Sequence, residues 1–402
     1  MGDATGAPTQ RTLPPLRVGR SAGRRRIVDA AGRPVMLRGT GVGGWMLLEN
    51  FIDAFPGDES GLRRAAAEQL GARRAALLFE RLLDHVFAEA DVAWLAEQGV
   101  TALRLAVNYR HLEDDAHPFA VRESGYRRLQ QAVDWCARHG VYAVVDLHAA
   151  PGGQNPDWHA DNDAGVPLLY RHPHFQDRLV RIWEELASRF AGNPAVAAYD
   201  VLNEPATTAH RPGARPDLAA LDALQRRLVA AIRRVDAEHI VVLEGDGFAS
   251  RFDGLSAPFD DNLVYSTHNY TLACFGPGSY PGECRGVRVD REQQLAAHRQ
   301  LEGTRFCADH DVPQWAGEMG AVFNGPPEEH GDRLRALDDE LDILEDDGIG
   351  WSLWTYKDAG VMGLQCIDPD SDYMQMLAPV LDAKRDLDTD SWMAGWTPAP
   401  PA

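Results

Sequence analysis

Two acidic residues stand where a chain rarely puts them without a chemical use. In "YDVLNEP" (199–205) the core-type residues Tyr199, Val201 and Leu202 lead straight into Asn203, Glu204 and Pro205. A carboxylate at the end of a buried strand costs desolvation unless it is paired, and the proline stops the strand. In "VPQWAGEMG" (312–320) a second apolar strand ends on Glu318. Paired carboxylates flanking a space are what cleavage of a glycosidic bond needs: one protonates the leaving oxygen and the other attacks the anomeric carbon. Arg104, in "LRLAV", is placed to hold the nucleophile ionised. Apolar walls and the second carboxylate are expected to raise the pKa of the acid. Glu244, in "LEGD", competes for the nucleophile's role because it also ends a strand.

The elements that must position these groups follow a rhythm. After a hairpin at 24–39, with its turn at Ala31-Gly32, the strand "VMLRGTGVGGW" ends in glycines. Residues 61–98 read as two helices broken near Gly71 or Ala90. Strands are then expected at 100–107, 141–148, 195–205, 239–246, 262–270, 312–320 and 348–358. Helices are expected at 126–140, 174–191, 217–237, 291–310, 331–347 and 371–384. Most of the strands are near-continuous apolar runs, as burial on both faces of a parallel sheet demands. Eight such units predict an α/β fold, a (β/α)8 TIM barrel in a single domain with a short N-terminal β-hairpin. The glycines of "GTGVGGW" precede "MLLENFIDAFPG" and no helix start, which argues against a dinucleotide site.

Barrel active sites lie at the C-terminal ends of the strands, and there the sequence is polar or aromatic throughout. In strand order these ends offer Trp45 and Glu49, Arg104 and Asn108, Asp146 and His148, Asn203 and Glu204, and Glu244 and Asp246. The last three offer His268, Asn269 and Tyr270, then Glu318, then Trp354 and Lys357. Trp45, Trp158, Trp351 and Trp354 are candidate faces for stacking sugar rings, with Trp351 the more core-like.

The rest of the composition narrows the function classes. The 402 residues include 40 basic and 60 acidic ones, a net charge of −20 that repels phosphate backbones and anionic membrane surfaces. Nucleic acid and membrane partners are therefore not expected. No apolar run of about 18 residues occurs. "MGDATGAPTQRTLPPLR" lacks the pattern of a signal peptide, so a cytoplasmic location is expected. Residues 1–17 read as a disordered tail, 18–385 as the barrel and 386–402 as a C-terminal tail. The acidic stretch 337–347 reads as the solvated face of a helix. Five cysteines are too few for a disulfide framework, although Cys274 and Cys284 could clip the loop "CFGPGSYPGEC". No HxH or HExxH spacing points to a metal. A metal-dependent barrel hydrolase and a non-catalytic sugar-binding protein are the readings from other classes.

The stretches "LRGTGVGGW", "LRLAV", "DLHAAPGGQN", "LNEP", "THNY", "GEMG" and "WSLWTYKD", in this order over residues 27–358, resemble glycoside hydrolase family 5. "GGWMLLE" and "DLHAAPGGQN" are most similar to its exo-β-1,3-glucanase-like branch. The resemblance implies that Glu204 is the general acid/base and Glu318 the nucleophile of a retaining mechanism. It also implies that Arg104, His148, Asn203, His268, Tyr270 and Trp354 support them, and that Glu49 binds the terminal sugar. By the same resemblance the substrate is a carbohydrate, a terminal β-linked sugar of a small glycoside or oligosaccharide, and no cofactor is needed. An endo-acting β-glucanase or β-mannanase, or a glycosidase for a glycolipid, is the alternative. The loops "CFGPGSYPGECRG" and "VMGLQCIDPDSDYMQM" depart from that branch, and they would shape the sugar subsites.

Overall fold

A computed structural model describes residues 13–208, 215–323 and 327–387. Eight parallel strands close into a barrel: β1 (Arg38–Val42), β2 (Ala102–Asn108), β3 (Tyr142–Ala149), β4 (Val196–Asp200), β5 (Ile240–Glu244), β6 (Leu263–Asn269), β7 (Gln314–Met319) and β8 (Gly350–Leu353). Each pairs with the next, and β8 closes on β1. This is the expected (β/α)8 barrel.

Strand alternation decides which side chains reach the site. Leu103, Leu105, Val145, Leu147, Tyr199, Val241, Leu243 and Tyr265 pack outward against the helices. Their neighbours in the strands point into the lumen. Ala102, Val144, Ala198, Val242 and Val264 form an apolar floor. One step higher stand Arg104, Asp146, Asp200 and Glu244, all buried. The mouth carries His148, His268 and Glu318. The same period of two builds the apolar floor and the charged middle layer and brings His148 and His268 to the rim, whereas Glu318 reaches it through a register shift in β7 between Ala316 and Glu318.

The N-terminal hairpin exists but lies earlier than expected, at Arg17–Ser21 and Arg24–Val28, with its turn at Ala22-Gly23. The tripeptide Ala-Gly-Arg occurs at 22–24 and again at 31–33. Both glycines adopt positive φ (83° and 78°), but the second turn supports only an isolated bridge, Val28 to Pro34. The expected tail shrinks correspondingly. Leu16 is buried, Leu13 packs on the lumen floor, and the Tyr142 hydroxyl donates to Pro14 O at 2.8 Å. Residues 1–12 and 388–402 of the two expected tails lie outside the described residues. The hairpin thus plugs the N-terminal end of the barrel and leaves the other end for chemistry.

Residues 61–98 form three helices (Glu59–Leu70, Ala72–His85, Glu89–Glu97) instead of two. The expected helix 291–310 is two, Arg291–Gln300 and Glu302–Asp309. Helix Pro327–Asp346 carries the acidic stretch on an exposed face, except that Glu340 turns inward. Among the described residues no helix is long and apolar enough to cross a membrane.

Candidate active site

Arg104 organises the centre of the barrel. Its guanidinium is fully buried and donates to Glu318 Oε1 (2.6 Å), Asn203 Oδ1 (2.7 Å), Asp200 Oδ2 (2.9 Å) and Glu244 Oε1 (3.3 Å), with Asp146 Oδ1 also 3.3 Å away. Burial disfavours its charge, but these four carboxylates together hold its pKa well above the ordinary value. Burial raises Asp146 and Asp200, against the pull of Arg104. A buried charge is tolerable only when paired this thoroughly.

Glu318 stands above this layer. Besides Arg104 it accepts a hydrogen bond from the Tyr270 hydroxyl at Oε2 (2.9 Å). Its place depends on the preceding glycine: a Cβ on Gly317 would lie 2.2 Å from Ser266 Oγ. On its other side His148 Nδ1 lies 2.7 Å from Asp146 Oδ2, and the imidazole stacks on Trp354 (4.8 Å between centroids, 9° between planes). The Trp354 indole N–H donates to Glu49 Oε2 at 3.2 Å, and His148 Nε2 is 3.5 Å from Glu49 Oε1. Gly41 makes room for Trp354, since a Cβ there would meet the ring at 2.4 Å. Burial raises the pKa of Glu49 and lowers that of His148.

Glu204 answers the question its motif raised. The chain leaves β4 at Asp200 and reaches Glu204 at φ 47°, a left-handed conformation that costs a non-glycine residue energy and persists only when its surroundings over-determine it. They do: its N–H donates to Glu244 Oε2 (2.7 Å), and its C=O accepts from Asn155 Nδ2 (3.0 Å). The side chain then projects between two imidazoles. His268 Nδ1 is 2.7 Å from Oε1, and His159 Nε2 is 2.9 Å from Oε2. Burial pushes the Glu204 carboxyl up, yet the two imidazoles outweigh it and pull the pKa well below the usual value. This reverses the expected direction, because histidines, and not apolar walls, surround the oxygens. Burial opposes charge on His268, but Glu244, Glu318 and Glu204 raise its pKa well above normal.

Glu204, His268 and Glu318 each present a ligand-type atom within 4.8 Å of the others. In donor type the trio could hold a cation. Its atoms are instead engaged by Arg104, Tyr270 and one another, which suits the trio to proton transfer. Around it lies a cavity of about 280 Å³, lined among others by Glu49, His148, Trp354, Trp158, His159 and Phe248.

The comparisons with known proteins agree with this geometry. Residues 84–360, more than half the chain, match the family model described as cellulase (glycosyl hydrolase family 5). The chain belongs to glycoside hydrolase family 5. A β-xylosidase of Phanerodontia chrysosporium is 37% identical over 380 residues, covering 92% of this chain and 77% of that protein. A probable glucan 1,3-beta-glucosidase A of Emericella nidulans is 25% identical over 370 residues (83% and 88% of the two chains). Endoglucanase C of Acetivibrio thermocellus is 24% identical over 308 residues (68% and 85%). As a member of family 5 the protein is a retaining glycosidase acting on β-linked glycosides.

Within the family 5 site, the structure brings together Glu49, Arg104, His148, Asn203, Glu204, His268, Tyr270, Glu318 and Trp354, the residues singled out from sequence. Others belong elsewhere. Trp45 is fully buried, donates to Leu83 O and packs against Phe87, so it is core. Trp351 bonds Glu345 and packs against Leu344 on the outside of the barrel. Lys357 pairs with Asp91. Asn108 bonds Glu59 and Asp161. Glu244 lies beneath the cavity, braced by Arg104, His268 and the backbone of Glu204, where it cannot reach a substrate. Cys274 and Cys284 are free buried thiols; Arg333 ties their loop instead by donating to Ala273 O and Gly278 O. Sequence reasoning missed His159, Phe51 and Phe248, which no strand end announces.

Proposed function

We propose that the protein is an exo-acting β-glycosidase that removes single terminal sugars, with Glu318 as nucleophile and Glu204 as general acid/base. The observation that carries the assignment is the pair itself. An oxygen of Glu204 and one of Glu318 lie within 4.8 Å of one another across an open cavity, a separation suited to a retaining pair, for which the carboxyl groups stand roughly 5–5.5 Å apart.

In the first step Glu318 attacks the anomeric carbon, the bond from that carbon to the glycosidic oxygen breaks, and Glu204 gives its proton to the departing oxygen. In the second step water attacks the same carbon, Glu204 takes the water's proton, and the bond to Glu318 breaks. Two inversions retain the configuration. Arg104 and Tyr270 hold Glu318 and stabilise the charge that returns to it. Asn203 is positioned through Oδ1 by Arg104, while its buried Nδ2 has no partner among the described residues. That donor suits the sugar's 2-hydroxyl, a bond that strengthens in the transition state.

Exo action is supported by the shape. A cavity of about 280 Å³ falls just below the usual range for ligand pockets, roughly 300–1,000 Å³, and it suits a terminal unit better than a polymer. Glu49, His148 and Trp354 line it with acceptors and donors suited to the hydroxyls of a terminal sugar. The names of two relatives, a β-xylosidase and a glucan 1,3-beta-glucosidase, support removal of xylose or glucose. The test is product analysis on soluble β-linked gluco- and xylo-oligosaccharide ladders. Monosaccharide should appear first, as the β-anomer by NMR. A spread of mid-length products would establish endo action instead, and an α-anomer would overturn the retaining pair.

A further inference from the structure

Phe248 occupies a backbone conformation that its residue type disfavours, and its ring lines the cavity. We propose that Phe248, with Trp158, forms the subsite for the group that departs on the glycosidic oxygen, and that this subsite selects a flat aromatic aglycone over a second sugar. The proposal rests on Glu204 being the acid/base.

The loop after β5 makes a left-handed turn. Gly247, Phe248 and Ala249 have φ of 61°, 61° and 57° in succession. Glycine adopts this conformation freely, but a side chain there costs energy and is kept only where its surroundings hold it. They hold it at both ends. Asp246 and Arg251 exchange two backbone hydrogen bonds (2.9 and 2.8 Å), and Asp246 Oδ1 accepts from the N–H of Thr207 at 2.7 Å. Gly245 lets the turn close, since a Cβ there would meet Arg251 O at 2.5 Å. Ala249 and Phe252 anchor the far side in the core. The N–H of Phe248 donates to Pro205 O at 3.1 Å, one residue beyond Glu204. The strained turn thus delivers an aromatic ring to the acid/base's neighbourhood.

The contacts divide the cavity lining by chemistry. Glu49, His148 and Trp354 belong with the nucleophile. His148 Nε2 is 3.9 Å from Glu318 Oε1 and 3.5 Å from Glu49 Oε1, and its ring stacks on Trp354. These groups suit the sugar that Glu318 attacks. Phe248 and Trp158 belong with the acid/base. Both rings lie against the imidazole of His159, at 5.9 and 5.3 Å between centroids, and His159 Nε2 is 2.9 Å from Glu204 Oε2. The leaving oxygen must come to Glu204, so the group it carries meets these two rings.

The chemistry of this wall favours an aromatic occupant. Apart from the two carboxylates, the imidazoles, Tyr270, Glu49 and Trp354, the cavity is lined by Phe51, Asp157, Trp158 and Phe248. Phe51 meets Trp158 edge-on (6.1 Å, 81°) and extends the same wall. His159 Nε2 is already engaged by Glu204 and by Asn155 Nδ2 at 2.9 Å. A second sugar would bring several hydroxyls to three rings and one carboxylate, and hydroxyls left without partners cost free energy. An aromatic aglycone brings none, and it gains ring contacts.

The experiment compares kcat/KM on a benzyl β-glycoside, the methyl β-glycoside and the corresponding disaccharide, whose leaving alcohols all need a proton. The sugar is glucose or xylose, whichever the wild type turns over faster. Wild type should prefer the benzyl glycoside to the disaccharide. Phe248→Ala should lose about tenfold or more on the benzyl glycoside, the scale of a lost ring contact, and far less on the other two. Phe248→Gly removes the same ring and also relieves the left-handed backbone, so a loss shared by both variants belongs to the ring. Trp158→Ala should change the preference in the same direction. With a dinitrophenyl glycoside the loss should fall on kcat/KM. Where hydrolysis of the glycosyl-enzyme limits turnover, kcat should move far less, because the aglycone has already left. Equal losses on the benzyl and methyl glycosides would make Phe248 a support of the fold, and a larger loss on the disaccharide would make this a sugar subsite. Either result overturns the proposal, as does no loss at all. Failure of the acid/base reading would look different, because Glu204→Ala would then lose as much on the dinitrophenyl as on the benzyl glycoside.

Discussion

Glu318 and Glu204 face the same cavity and both lie beside His268, but the closest partner of each differs in one property: whether it can lose its charge. Glu318 is gripped by Arg104, a guanidinium that stays charged at any working pH, and by the hydroxyl of Tyr270. Glu204 is gripped by His268 and His159, whose charges can change. A nucleophile must be anionic at every encounter, so a permanent partner suits it. An acid/base must be neutral in one step and anionic in the next, so its partners must let the proton come and go. The difference in chemistry is written in the choice of neighbours before any substrate arrives.

The comparison breaks most sharply at Glu318. Glu318→Ala removes the carboxylate assigned to bond the anomeric carbon, and turnover should fall by on the order of 10⁵-fold or more on alkyl and dinitrophenyl glycosides alike. Azide should yield the α-glycosyl azide, visible by NMR. Substantial activity remaining on either substrate would mean that Glu318 is not the nucleophile.

Glu204→Ala should behave unequally. Loss of proton transfer contributes roughly 10²–10⁴-fold on alkyl glycosides. The first step with a dinitrophenyl glycoside should be hurt far less, and the glycosyl-enzyme should accumulate because water lacks its base. Azide needs no base, and should restore turnover with a β-glycosyl azide as product. Equal damage on both leaving groups without azide rescue would remove Glu204 from the acid/base role.

Much of this comparison was legible in the sequence because it depends on strand parity and on motifs confined to strand ends. Arg104, Asp146 and Glu244 fall on lumen-facing positions of apolar strands, and Glu318 ends an apolar strand whose register shift turns it to the rim; their places at strand ends were enough to suggest both the barrel and the paired carboxylates. The partner set of Glu204 was not legible. His159 and Phe248 come from loops whose paths are fixed by distant contacts, Asp161 with Arg110 in one case. Without His159, apolar walls were the natural expectation, and the pKa direction came out reversed. Trp45 failed for a related reason: an aromatic just past a strand end can turn inward or outward, and nothing local decides. The hairpin slipped because two identical Ala-Gly-Arg turns lie nine residues apart, and only packing against the barrel floor selects the first.

A third carboxylate supplies the limiting case. Glu340, on helix Pro327–Asp346, is buried outside the cavity and, among the described residues, receives the Thr271 hydroxyl (3.3 Å) and the Cys274 thiol (3.4 Å) at Oε2. Burial pushes its pKa up from 4.5 to about 8, against these two hydrogen bonds. Where Glu318 has a permanent cation and Glu204 has titratable ones, Glu340 has a hydroxyl and a thiol, and it stays protonated at neutral pH. The sign of the consequence follows from proton linkage. Between about pH 4.5 and 8 the folded state binds the Glu340 proton while the unfolded chain has lost it, so this residue's contribution to stability falls as pH rises across that window. Glu340→Gln keeps the shape and cannot ionise. Relative to wild type it should leave stability near pH 4.5 little changed and gain on the order of a few kcal/mol by pH 8 to 9. Turnover on the dinitrophenyl glycoside should be unaltered, because Glu340 touches none of the groups that line the cavity. Denaturant unfolding at pH 5 and at pH 8.5 checks this. An equal stability difference at the two pH values would mean that Glu340 ionises normally and that burial without a cation does not suffice to hold its proton.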